Sequence, residues 1–336
     1  MGQINITPQC PIVLVNGKIN SNVVPLLKPY CEIRQWQESD IMPIEKLIEF
    51  IPEADALIVA YRSKITNEVI RQGKHLKIVA QAFVGYENVD IDACTACGIP
   101  FCNAISASTN SVAELAMTLI FASARNLVLS NRYVCSGQWK EYKQTQNSLG
   151  IELQGATLGI IGMGRIGVTI ARKAQGCGIN VIYHNRHLRN DIEAEHMQFV
   201  SKEDLYHMSD VIVDVLPSTS ETHQIIGMAD FVAMKSSAIF INVGRGSTVQ
   251  TNALLEALKH GEIAGAALDV VDVEPLPSNH PLLLLPNVII TPHIGGRTHS
   301  AWINKAKQTA QNVLNSFEGK PLQDCLNPEV LYQKKI

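Results

Sequence analysis

Residues 158–167 read Leu158-Gly-Ile-Ile-Gly162-Met-Gly164-Arg-Ile-Gly167, a GxGxxG motif that directly follows an apolar run and precedes a stretch with helical spacing. Each glycine has a mechanical role, since Gly162 permits a tight turn, Gly164 lets the backbone approach a pyrophosphate, and Gly167 allows close packing of helix on strand. The first turn of a helix also offers unpaired N–H groups to phosphates. We therefore predict a dinucleotide site at this turn, rather than a purely structural glycine turn.

Short runs of β-branched residues alternate with helical stretches on both sides of the motif, a pattern typical of a parallel sheet covered on both faces. Before the motif, the runs 12–15, 56–59 and 76–80 predict one α/β unit. The motif opens a second series of buried strands, predicted at 157–161, 180–183, 210–215, 238–243, 266–270 and 288–291. We predict helices at 112–124, with Ser111 as the N-cap, at 251–260 and at 300–317.

The two strand series predict two domains, which also suits a chain of 336 residues. The predicted fold class is α/β, with two Rossmann-like, doubly wound parallel-sheet domains. After the second series the chain returns to a helix and a short tail, which we expect to pack on the first domain. The expected bounds are 1–104 with 299–336 for a discontinuous, flavodoxin-like substrate-binding domain, and 105–298 for the dinucleotide-binding Rossmann domain.

The composition limits the classes of function. Lys and Arg number 28 against 31 Asp and Glu, a net charge of −3, which gives no electrostatic surface suited to nucleic acid. Hydrophobic residues at 46% and charged residues at 18% are typical of a globular protein. No apolar run approaches the ~18 residues of a membrane span, and the first thirty residues lack the order of a signal peptide. We expect a soluble, cytoplasmic protein with neither a nucleic-acid nor a membrane partner.

Eight cysteines raise the question of metal or disulfide chemistry. Only Cys94 and Cys97 form a CxxC pair, and the sequence contains no second CxxC pair. We therefore expect reduced thiols and no metal site. A redox or metal role for this pair is the alternative.

The end of the strand after the glycine motif indicates which dinucleotide is bound. An acidic residue about 20 positions downstream would bind the ribose 2′-hydroxyl of NAD, but the sequence Val181-Ile-Tyr-His184-Asn185-Arg186-His187 has no carboxylate before Asp191. Asn185 would not repel a 2′-phosphate, and Arg186 offers it a planar fork of donors. We predict a preference for NADP(H), with NAD(H) as the second cofactor. The alternative is that Arg186 is simply a solvated loop residue.

Three polar segments follow strands of the second series, at the sheet edge where open α/β sheets bind ligands. They are 242–246 with Arg245, 268–275 with Glu274, and 291–295 with His293. A carboxylate beside an imidazole raises the pKa of the histidine and fixes its orientation. Each segment alone also fits a structural role, but together, in this order behind GxGxxG, they predict a catalytic site.

With these motifs the sequence resembles the D-isomer-specific 2-hydroxyacid dehydrogenases, from the loop Gln81-Ala-Phe-Val84-Gly85-Tyr-Glu-Asn88-Val-Asp90 to the C-terminal helix. Within that family it is most similar to the glyoxylate/hydroxypyruvate reductases. The stretch Glu274-Pro-Leu-Pro-Ser-Asn-His-Pro-Leu-Leu, the Asn185-Arg186 loop and His293-Ile-Gly295 carry this similarity.

The resemblance implies a role for each site residue. The backbone of Val84 and Gly85 would bind the substrate carboxylate. Arg245 would hold that carboxylate and polarise the keto oxygen. His293, protonated and paired with Glu274, would be the general acid. Hydride would come from the nicotinamide, since no side chain can supply it.

For the cofactor, the resemblance places Thr109 on a phosphate, Pro217 and Thr222 on the adenosine side, and Asp269 on the nicotinamide carboxamide. It also implies a homodimer, with the helix 112–124 and the following loop as the interface. The complete set of expected cofactor-binding residues is Thr109, Gly162, Gly164, Arg165, Ile166, Gly167, Asn185, Arg186, Pro217, Thr222, Val243, Asp269, His293 and Gly295.

The expected activity is NADPH-preferring reduction of small 2-keto acids to D-2-hydroxy acids, with glyoxylate, hydroxypyruvate and 2-ketogluconate as candidate substrates. One alternative is a phosphoglycerate-type dehydrogenase, which the missing NAD carboxylate disfavours. Another is a non-enzymatic, dinucleotide-sensing binding protein of the same fold, which would keep the same Arg, Glu and His.

Three parts of the sequence leave open which 2-keto acid is the substrate and how large it can be. Phosphoglycerate-type relatives have an arginine immediately after the second strand, whereas here Ala60 and Tyr61 precede Arg62. The segment Lys143-Gln-Thr-Gln-Asn147 lacks the tryptophan with which mammalian-type hydroxypyruvate reductases narrow the partner subunit's pocket. Arg297 stands where many relatives have a small residue and would bind a distal group of a longer 2-keto acid. The alternative for Arg297 is a solvent-facing arginine at the entry to a helix.

Overall fold

The computed structural model describes residues 10–140 and 149–332, apart from the side chains of 193–195. The chain forms two compact units, Met1–Ser108 with Thr298–Ile336, and Thr109–Arg297. The first boundary lies a few residues beyond the expected one, because the 3₁₀ turn Ser106–Ser108 packs against the C-terminal helix within the first unit.

The first unit contains a five-stranded parallel sheet with the strand order β2-β1-β3-β4-β5. The strands are β1 Ile12–Val15, β2 Glu32–Gln35, β3 Ala56–Val59, β4 Ile78–Gln81 and β5 Phe101–Cys102. Its helices are α1 Val23–Leu27, α2 Ile44–Phe50, α3 Asn67–Gln72, α4 Ile91–Ala96 and α11 His299–Glu318.

The second unit contains a seven-stranded parallel sheet with the order β12-β11-β10-β9-β6-β7-β8. The strands are β6 Thr157–Ile161, β7 Asn180–His184, β8 Gln198–Phe199, β9 Val211–Asp214, β10 Ile239–Asn242, β11 Gly265–Leu268 and β12 Val288–Ile290. Its helices are α5 Thr109–Ala124, α6 Leu127–Cys135, α7 Arg165–Gly176, α8 Lys202–Met208, α9 Met228–Ala233 and α10 Thr251–His260.

The central strands of both sheets are apolar because helices cover both of their faces. Strands β3, β4, β9 and β10 are buried along their whole length. In the first unit, α11 adds Ala306, Ala310 and Val313 to the core on one face of the sheet. In the second unit, α5 and α7 pack together over the other sheet. The predicted fold class, two parallel-sheet α/β domains, is confirmed.

Two local predictions were wrong. Helix α5 begins at Thr109, so Ser111 is a buried residue inside the helix and not its N-cap. The prediction started the helix at the first long apolar run and missed the polar first turn. The strands β2, β5 and β8 were also missed, because β2 is a polar edge strand of sequence EIRQ and the other two have only two residues each.

Within the described ranges, no single helix has the length and apolar character needed to cross a membrane. One pair of helical segments, Ser106–Ala124 and Leu127–Cys135, meets those criteria only when joined, and it is bent by 64° at the junction.

Strand β6 marks the point where the second sheet reverses its strand order. Its neighbours are β7 on one side and β9 on the other, so the chain winds outward in both directions from it. In doubly wound sheets, such a reversal opens a crevice at the carboxyl ends of the strands, where ligands bind. The glycine motif and the three polar segments all follow strands at this edge.

Candidate active site

The glycine motif forms the predicted turn between β6 and α7. Gly162 has a φ of +99°, in the left-handed region that favours glycine. A Cβ on Gly167 would lie 2.4 Å from the carbonyl oxygen of Gly162, which explains the third glycine as a point of close helix–strand approach. The backbone at Gly164 faces open space, and no side chain caps the helix that starts at Arg165. The turn therefore leaves room and backbone donors for a pyrophosphate.

The loop after β7 is tied to this turn by two side chains. Asn185 Oδ1 accepts a hydrogen bond from the backbone N–H of Met163 at 2.8 Å. Arg189 Nη1 donates to the carbonyl of Met163 at 2.7 Å and also pairs with Asp191. Asn185 was predicted to contribute to this site, whereas Arg189 was not, because its only signal in the sequence is that it is a second arginine in the same loop.

Arg186 extends from this loop into solvent. Its side chain is 80% exposed and forms an ion pair with Glu221, at 2.5 Å between Nη1 and Oε2. Exposed pairs of this kind stabilise a protein by at most about 1 kcal/mol. A phosphate could therefore displace Glu221 at low cost.

A cavity of about 310 Å³ adjoins the glycine turn. It brings together the cofactor candidates Thr109 and Arg165, from the starts of α5 and α7, with basic residues that the sequence analysis did not single out. The other lining residues are Val168, Thr169, Arg172, Arg189, Asp191 and Ile192. Ile166, the other cofactor candidate within the motif, is partly buried and packs against the hydrophobic core of the second unit.

The candidates Pro217 and Thr222 lie in one loop after β9. Thr222 Oγ1 donates a hydrogen bond to the carbonyl oxygen of Pro217 at 2.6 Å. Thr219 closes the same turn through its backbone and hydroxyl. The two predicted residues are thus held together on the carboxyl side of the sheet.

Arg245 lies in the loop after β10, next to the buried Val243. A Cβ on the following Gly246 would lie 1.9 Å from the backbone carbon of Val271, so this loop packs directly against the segment that leads to Glu274. Two side chains hold the carbonyl of Arg245: Asn242 Nδ2 at 3.0 Å and Thr248 Oγ1 at 2.6 Å. The glycines around the arginine are therefore explained by close backbone approach.

His293 and Glu274 form the predicted pair. His293 Nδ1 lies 2.8 Å from Glu274 Oε2, although 19 residues separate them in sequence. The imidazole is 42% exposed and the carboxylate 26%. Burial alone would raise the pKa of Glu274, but the hydrogen bond from His293 and the nearby Arg245 guanidinium outweigh it, so that this pKa lies below its ordinary value. Glu274 is therefore an anion near neutral pH, and it accepts the hydrogen bond from Nδ1 that orients the imidazole of His293.

Asp269 fixes the backbone around His293. Its Oδ1 accepts hydrogen bonds from Thr291 Oγ1 at 2.6 Å and from the N–H of Ile294 at 2.8 Å, while Oδ2 accepts from the N–H of Gly295 at 2.8 Å. The backbone of His293 has a positive φ of 52°, uncommon for a residue with a side chain. Asp269 therefore holds this loop, a role beyond the carboxamide contact that the resemblance implies.

In the first unit, the loop with Val84 and Gly85 is held by its carbonyl groups. Asn103 Nδ2 donates to the carbonyl of Val84 at 2.7 Å, and Gln81 Nε2 donates to the carbonyl of Gly85. Among the residues that the structure describes, the N–H groups of Val84 and Gly85 donate to no acceptor. The loop thus offers two amide donors, as the substrate-binding prediction requires. Sequence reasoning missed Gln81 and Asn103, which are buried at strand ends.

The sequence left the identity of the substrate open at Arg62, at Arg297 and in the segment 143–147, and the structure describes the first two of these. The Arg62 guanidinium carbon lies 5.2 Å from the centre of the Tyr61 ring, which contacts Phe83 edge-on. Arg297 is exposed, and its backbone N–H donates to the carbonyl of Ile294. The segment 143–147 lies outside the described residues.

The cysteines and metal candidates can be described for residues 10–140 and 149–332. All eight cysteines are free thiols. Burial raises the pKa of Cys94 to about 12, and Cys97 is an exposed residue at the end of α4. In those ranges no group of three or more His, Cys, Asp or Glu residues could hold a metal ion.

A buried carboxyl group, that of Asp214, is connected to the Arg245 loop through the hydroxyl of Thr248. Asp214, at the end of β9, is fully buried, and burial raises its pKa to about 7 despite hydrogen bonds from Thr248 and the N–H of Leu216. Thr248 Oγ1 lies 2.5 Å from Asp214 Oδ2 and 2.6 Å from the Arg245 carbonyl. A hydroxyl has one proton to donate, so Thr248 shares it between the Asp214 carboxyl and the Arg245 carbonyl.

We expect Asp214→Asn to stabilise the protein above pH 7. The folded state holds the Asp214 proton more tightly than the unfolded chain does, so stability falls as the pH rises from about 4 to about 7. The loss amounts to roughly 4 kcal/mol at most, because each pKa unit is worth about 1.4 kcal/mol. Thermal unfolding at pH 4 to 8 should show a flatter profile for the variant. An unchanged slope would contradict the assignment.

Asp210→Asn is the matched control for that experiment. Partial burial would raise the Asp210 pKa, but Lys235, 2.8 Å away, lowers it overall. Its stabilising contribution is therefore present at neutral pH and is lost on acidification. The control should destabilise the protein at pH 7, opposite in sign to Asp214→Asn.

These features define a two-unit α/β oxidoreductase whose second unit fits a nicotinamide dinucleotide. The open backbone at Gly164 and the uncapped helix start suit a pyrophosphate. Arg245, Glu274 and His293 line the same sheet edge.

Comparisons with known proteins agree with this class. Residues 117–295 match the family model described as D-isomer specific 2-hydroxyacid dehydrogenase, NAD binding domain. A glyoxylate reductase of Aeropyrum pernix is 37% identical over 96% of this chain and 97% of its own length. A glyoxylate reductase of Thermococcus litoralis is 38% identical over 96% and 98%. The crystal structure of an NADPH-dependent glyoxylate/hydroxypyruvate reductase from Sinorhizobium meliloti, in complex with NADP and malonate, superposes with a TM-score of 0.83 at 28% identity, covering 95% of this chain and 97% of that one.

The chain belongs to the D-isomer specific 2-hydroxyacid dehydrogenase family. It is an NAD(P)-dependent oxidoreductase, and the family resemblance seen in the sequence is confirmed.

Proposed function

We propose that the protein is an NADPH-preferring reductase of small 2-keto acids, with glyoxylate and hydroxypyruvate as substrates and 2-ketogluconate as a longer candidate. The His293–Glu274 pair, at 2.8 Å and at the same sheet edge as Arg245, carries the proposal. The names of the similar glyoxylate reductases from Aeropyrum pernix and Thermococcus litoralis support the substrate class. The product is the D-2-hydroxy acid.

The proposed proton donor is His293. Since Nδ1 donates to Glu274, Nε2 is the nitrogen left to give a proton to the substrate oxygen. The Glu274 anion accepts the hydrogen bond from Nδ1 and so keeps the ring oriented throughout the transfer. In the opposite direction, neutral His293 takes the proton of the alcohol at Nε2.

The proposed carbonyl-polarising group is Arg245. Its loop is held by Asn242, Thr248 and the close approach at Gly246, so little reorganisation is needed when negative charge develops on the oxygen. The free N–H groups of Val84 and Gly85 bind the substrate carboxylate, and Arg245 is proposed to contact that carboxylate as well. The reduced nicotinamide supplies the hydride when bound.

The proposed cofactor contacts combine the predicted residues with their observed positions. Gly162, Gly164, Arg165, Ile166, Gly167 and Thr109 would hold the phosphates, and Asn185 with Arg186 the ribose side. Pro217 and Thr222 would line the adenosine, while Val243, Asp269, His293 and Gly295 would border the nicotinamide. We propose that Arg297 contacts the distal end of longer 2-keto acids.

The direct test is the loss of reduced-nicotinamide absorbance with NADPH and with NADH, using glyoxylate, hydroxypyruvate, 2-ketogluconate and pyruvate. We expect turnover with glyoxylate or hydroxypyruvate and higher kcat/KM with NADPH. Cofactor binding without turnover of any substrate would favour the dinucleotide-sensing alternative.

The same assay tests Arg297. An Arg297→Ala variant whose KM is unchanged for every longer 2-keto acid would remove the proposed role of Arg297.

We expect Arg186→Ala to raise the KM for NADPH by roughly 10- to 100-fold and to leave the KM for NADH nearly unchanged. A charge-assisted hydrogen bond to a phosphate contributes that much, and NADH has no 2′-phosphate. Glu221→Gln is the matched variant, because it removes the carboxylate that pairs with Arg186. It should lower the KM for NADPH. Equal losses for both cofactors in Arg186→Ala would make the arginine a structural residue.

We further propose a homodimer. The sequence analysis placed its interface on the helix 112–124 and the following loop, but most of that helix is buried inside the second unit. The next helix, α6, has no buried residue and exposes Leu127, Leu129, Tyr133 and Val134. An apolar surface of this kind favours α6 as the interface. Light scattering should give the mass of a dimer, whereas a monomer at micromolar concentration would contradict this.

A further inference from the structure

Two thiols of the first unit lie opposite each other in a short antiparallel bridge. Cys102 is the last residue of β5, and Cys325 belongs to the segment that follows α11. Two backbone hydrogen bonds flank them, from Leu326 N–H to the Phe101 carbonyl at 2.9 Å and from Asn103 N–H to the Asp324 carbonyl at 3.3 Å. Cys102 and Cys325 are thus a non-hydrogen-bonded pair, the type in which facing side chains lie closest together.

The geometry of such a pair suits a disulfide. Cα atoms in a non-hydrogen-bonded antiparallel pair are about 4.5 Å apart, within the range of about 4.4–6.8 Å that disulfides span. Each thiol also shifts the pKa of the other, as expected of neighbouring sulfur atoms. Little backbone movement is needed to join them.

The surroundings hold this pair in register. Asn327, which is 1% exposed, accepts a hydrogen bond from the N–H of Phe101 at 2.8 Å and donates to the carbonyl of Ile99 at 3.0 Å. On the other side, Asp324 Oδ2 accepts from the N–H of Ser106 at 2.8 Å and from Gln308 Nε2 at 2.7 Å. The bridge is therefore fixed at both ends.

The two thiols differ in access and acidity. Cys102 is 1% exposed, whereas Cys325 is partly exposed. The hydrogen bond from Cys102 lowers the pKa of Cys325, while that contact and burial raise the pKa of Cys102. Cys325 is therefore the thiol that ionises first and that a reagent can reach, which is the profile of an attacking cysteine. Cys102 is placed to resolve the product.

We propose that Cys102 and Cys325 form an oxidisable dithiol that reacts with low-molecular-weight disulfides, such as oxidised glutathione, to give an intramolecular disulfide. Cys325 thiolate attacks the external disulfide, forms a mixed disulfide and releases one small thiol. Cys102 then loses its proton and attacks Cys325 Sγ, releasing the second small thiol. Both protein thiols are oxidised and the external disulfide is reduced to two thiols.

The bond would join the C-terminal segment to the strand beside the substrate loop. Asn103 follows Cys102 directly, and its side chain holds the carbonyl of Val84. The bridge also closes a chain segment of more than two hundred residues. A cross-link over so long a segment removes entropy from the unfolded chain, so the oxidised protein should unfold at a higher temperature.

The test is to incubate the reduced full-length protein with oxidised glutathione and to count thiols after denaturation. We expect the count to fall by two from eight. Non-reducing peptide mapping should find a Cys102–Cys325 linkage, and dithiothreitol should reverse it. The Tm should rise by several degrees on oxidation and return on reduction.

Cys325→Ala should lose both the linkage and the rise in Tm, and Cys102→Ser should stop at a glutathione adduct on Cys325. Cys97→Ser is the matched control, since Cys97 is exposed and belongs to the CxxC pair, and it should oxidise like the unaltered protein. A linkage between other cysteines, or a stable adduct on Cys325 in the unaltered protein, would overturn the proposal. A full count of eight thiols after incubation would overturn it as well.

Discussion

His293→Ala is expected to lower kcat for 2-keto acid reduction by about 10²- to 10⁴-fold, the usual contribution of a positioned general acid. The imidazole is the titratable group that Glu274 holds at 2.8 Å, and alanine leaves the developing alkoxide without a proton donor. The KM for NADPH should change little, because the phosphates bind elsewhere. Steady-state kinetics at saturating cofactor measure both parameters.

His299→Ala is the matched control for that experiment. His299 is an exposed histidine at the start of α11, six residues from His293, and its loss should leave kcat unchanged.

Glu274→Gln tests the other member of the His293–Glu274 pair. Since a neutral amide holds the imidazole less firmly than a carboxylate does, kcat should fall, though by a smaller factor than in His293→Ala. Full activity of His293→Ala would refute the assignment of the general acid.

Arg245→Ala is expected to lower kcat by roughly 10²- to 10³-fold and to raise the KM for the keto acid. The guanidinium is proposed to bind the carboxylate in the ground state and the carbonyl oxygen in the transition state, so both parameters suffer. Arg245→Lys should recover only part of the loss, because an ammonium keeps the charge but not the planar fork of donors.

A structural explanation for Arg245 can be separated from a catalytic one. Asn242 and Thr248 hold the backbone carbonyl of Arg245, and these contacts do not need its side chain, which itself donates from Nη1 to the carbonyl of the neighbouring Gly244 at 2.9 Å. The Tm of Arg245→Ala should therefore stay close to that of the unaltered protein. A large loss of Tm together with unchanged kinetics per folded molecule would make Arg245 a structural residue.

Much of the fold could be predicted because its strongest signals are local. The helix predicted at 251–260 has those same bounds in the structure, and β1, β3 and β6 also match. In each of these elements the apolar residues either recur at helical spacing or form the continuous run of a buried strand. The edge strand β2 was missed because its sequence, EIRQ, contains a single apolar residue. Its strand conformation depends on pairing with β1.

The site shows a similar division. Arg245, Glu274 and His293 could be found because polar residues after buried strands stand out against their surroundings. Asp214, Gln81 and Asn103 could not, since each lies in or beside a strand and looks like an ordinary polar residue in the sequence. Their importance comes from what they contact, such as the carbonyls of Val84 and Gly85 in the loop after β4, and these contacts form only once the loop has folded back on the ends of β4 and β5.

Local sequence signals are enough to define the class of this protein: the parallel sheets, the dinucleotide turn and the three polar loops at one sheet edge. These depend on backbone sterics, hydrophobic periodicity and residue type, which act over a few neighbouring positions. Which side chains meet, by contrast, depends on how the strands and loops are arranged in the folded protein. The contact of His293 with Glu274, the burial of the Asp214 carboxyl and the pairing of Cys102 with Cys325 all depend on strand order and register, which bring together residues that are far apart in the chain.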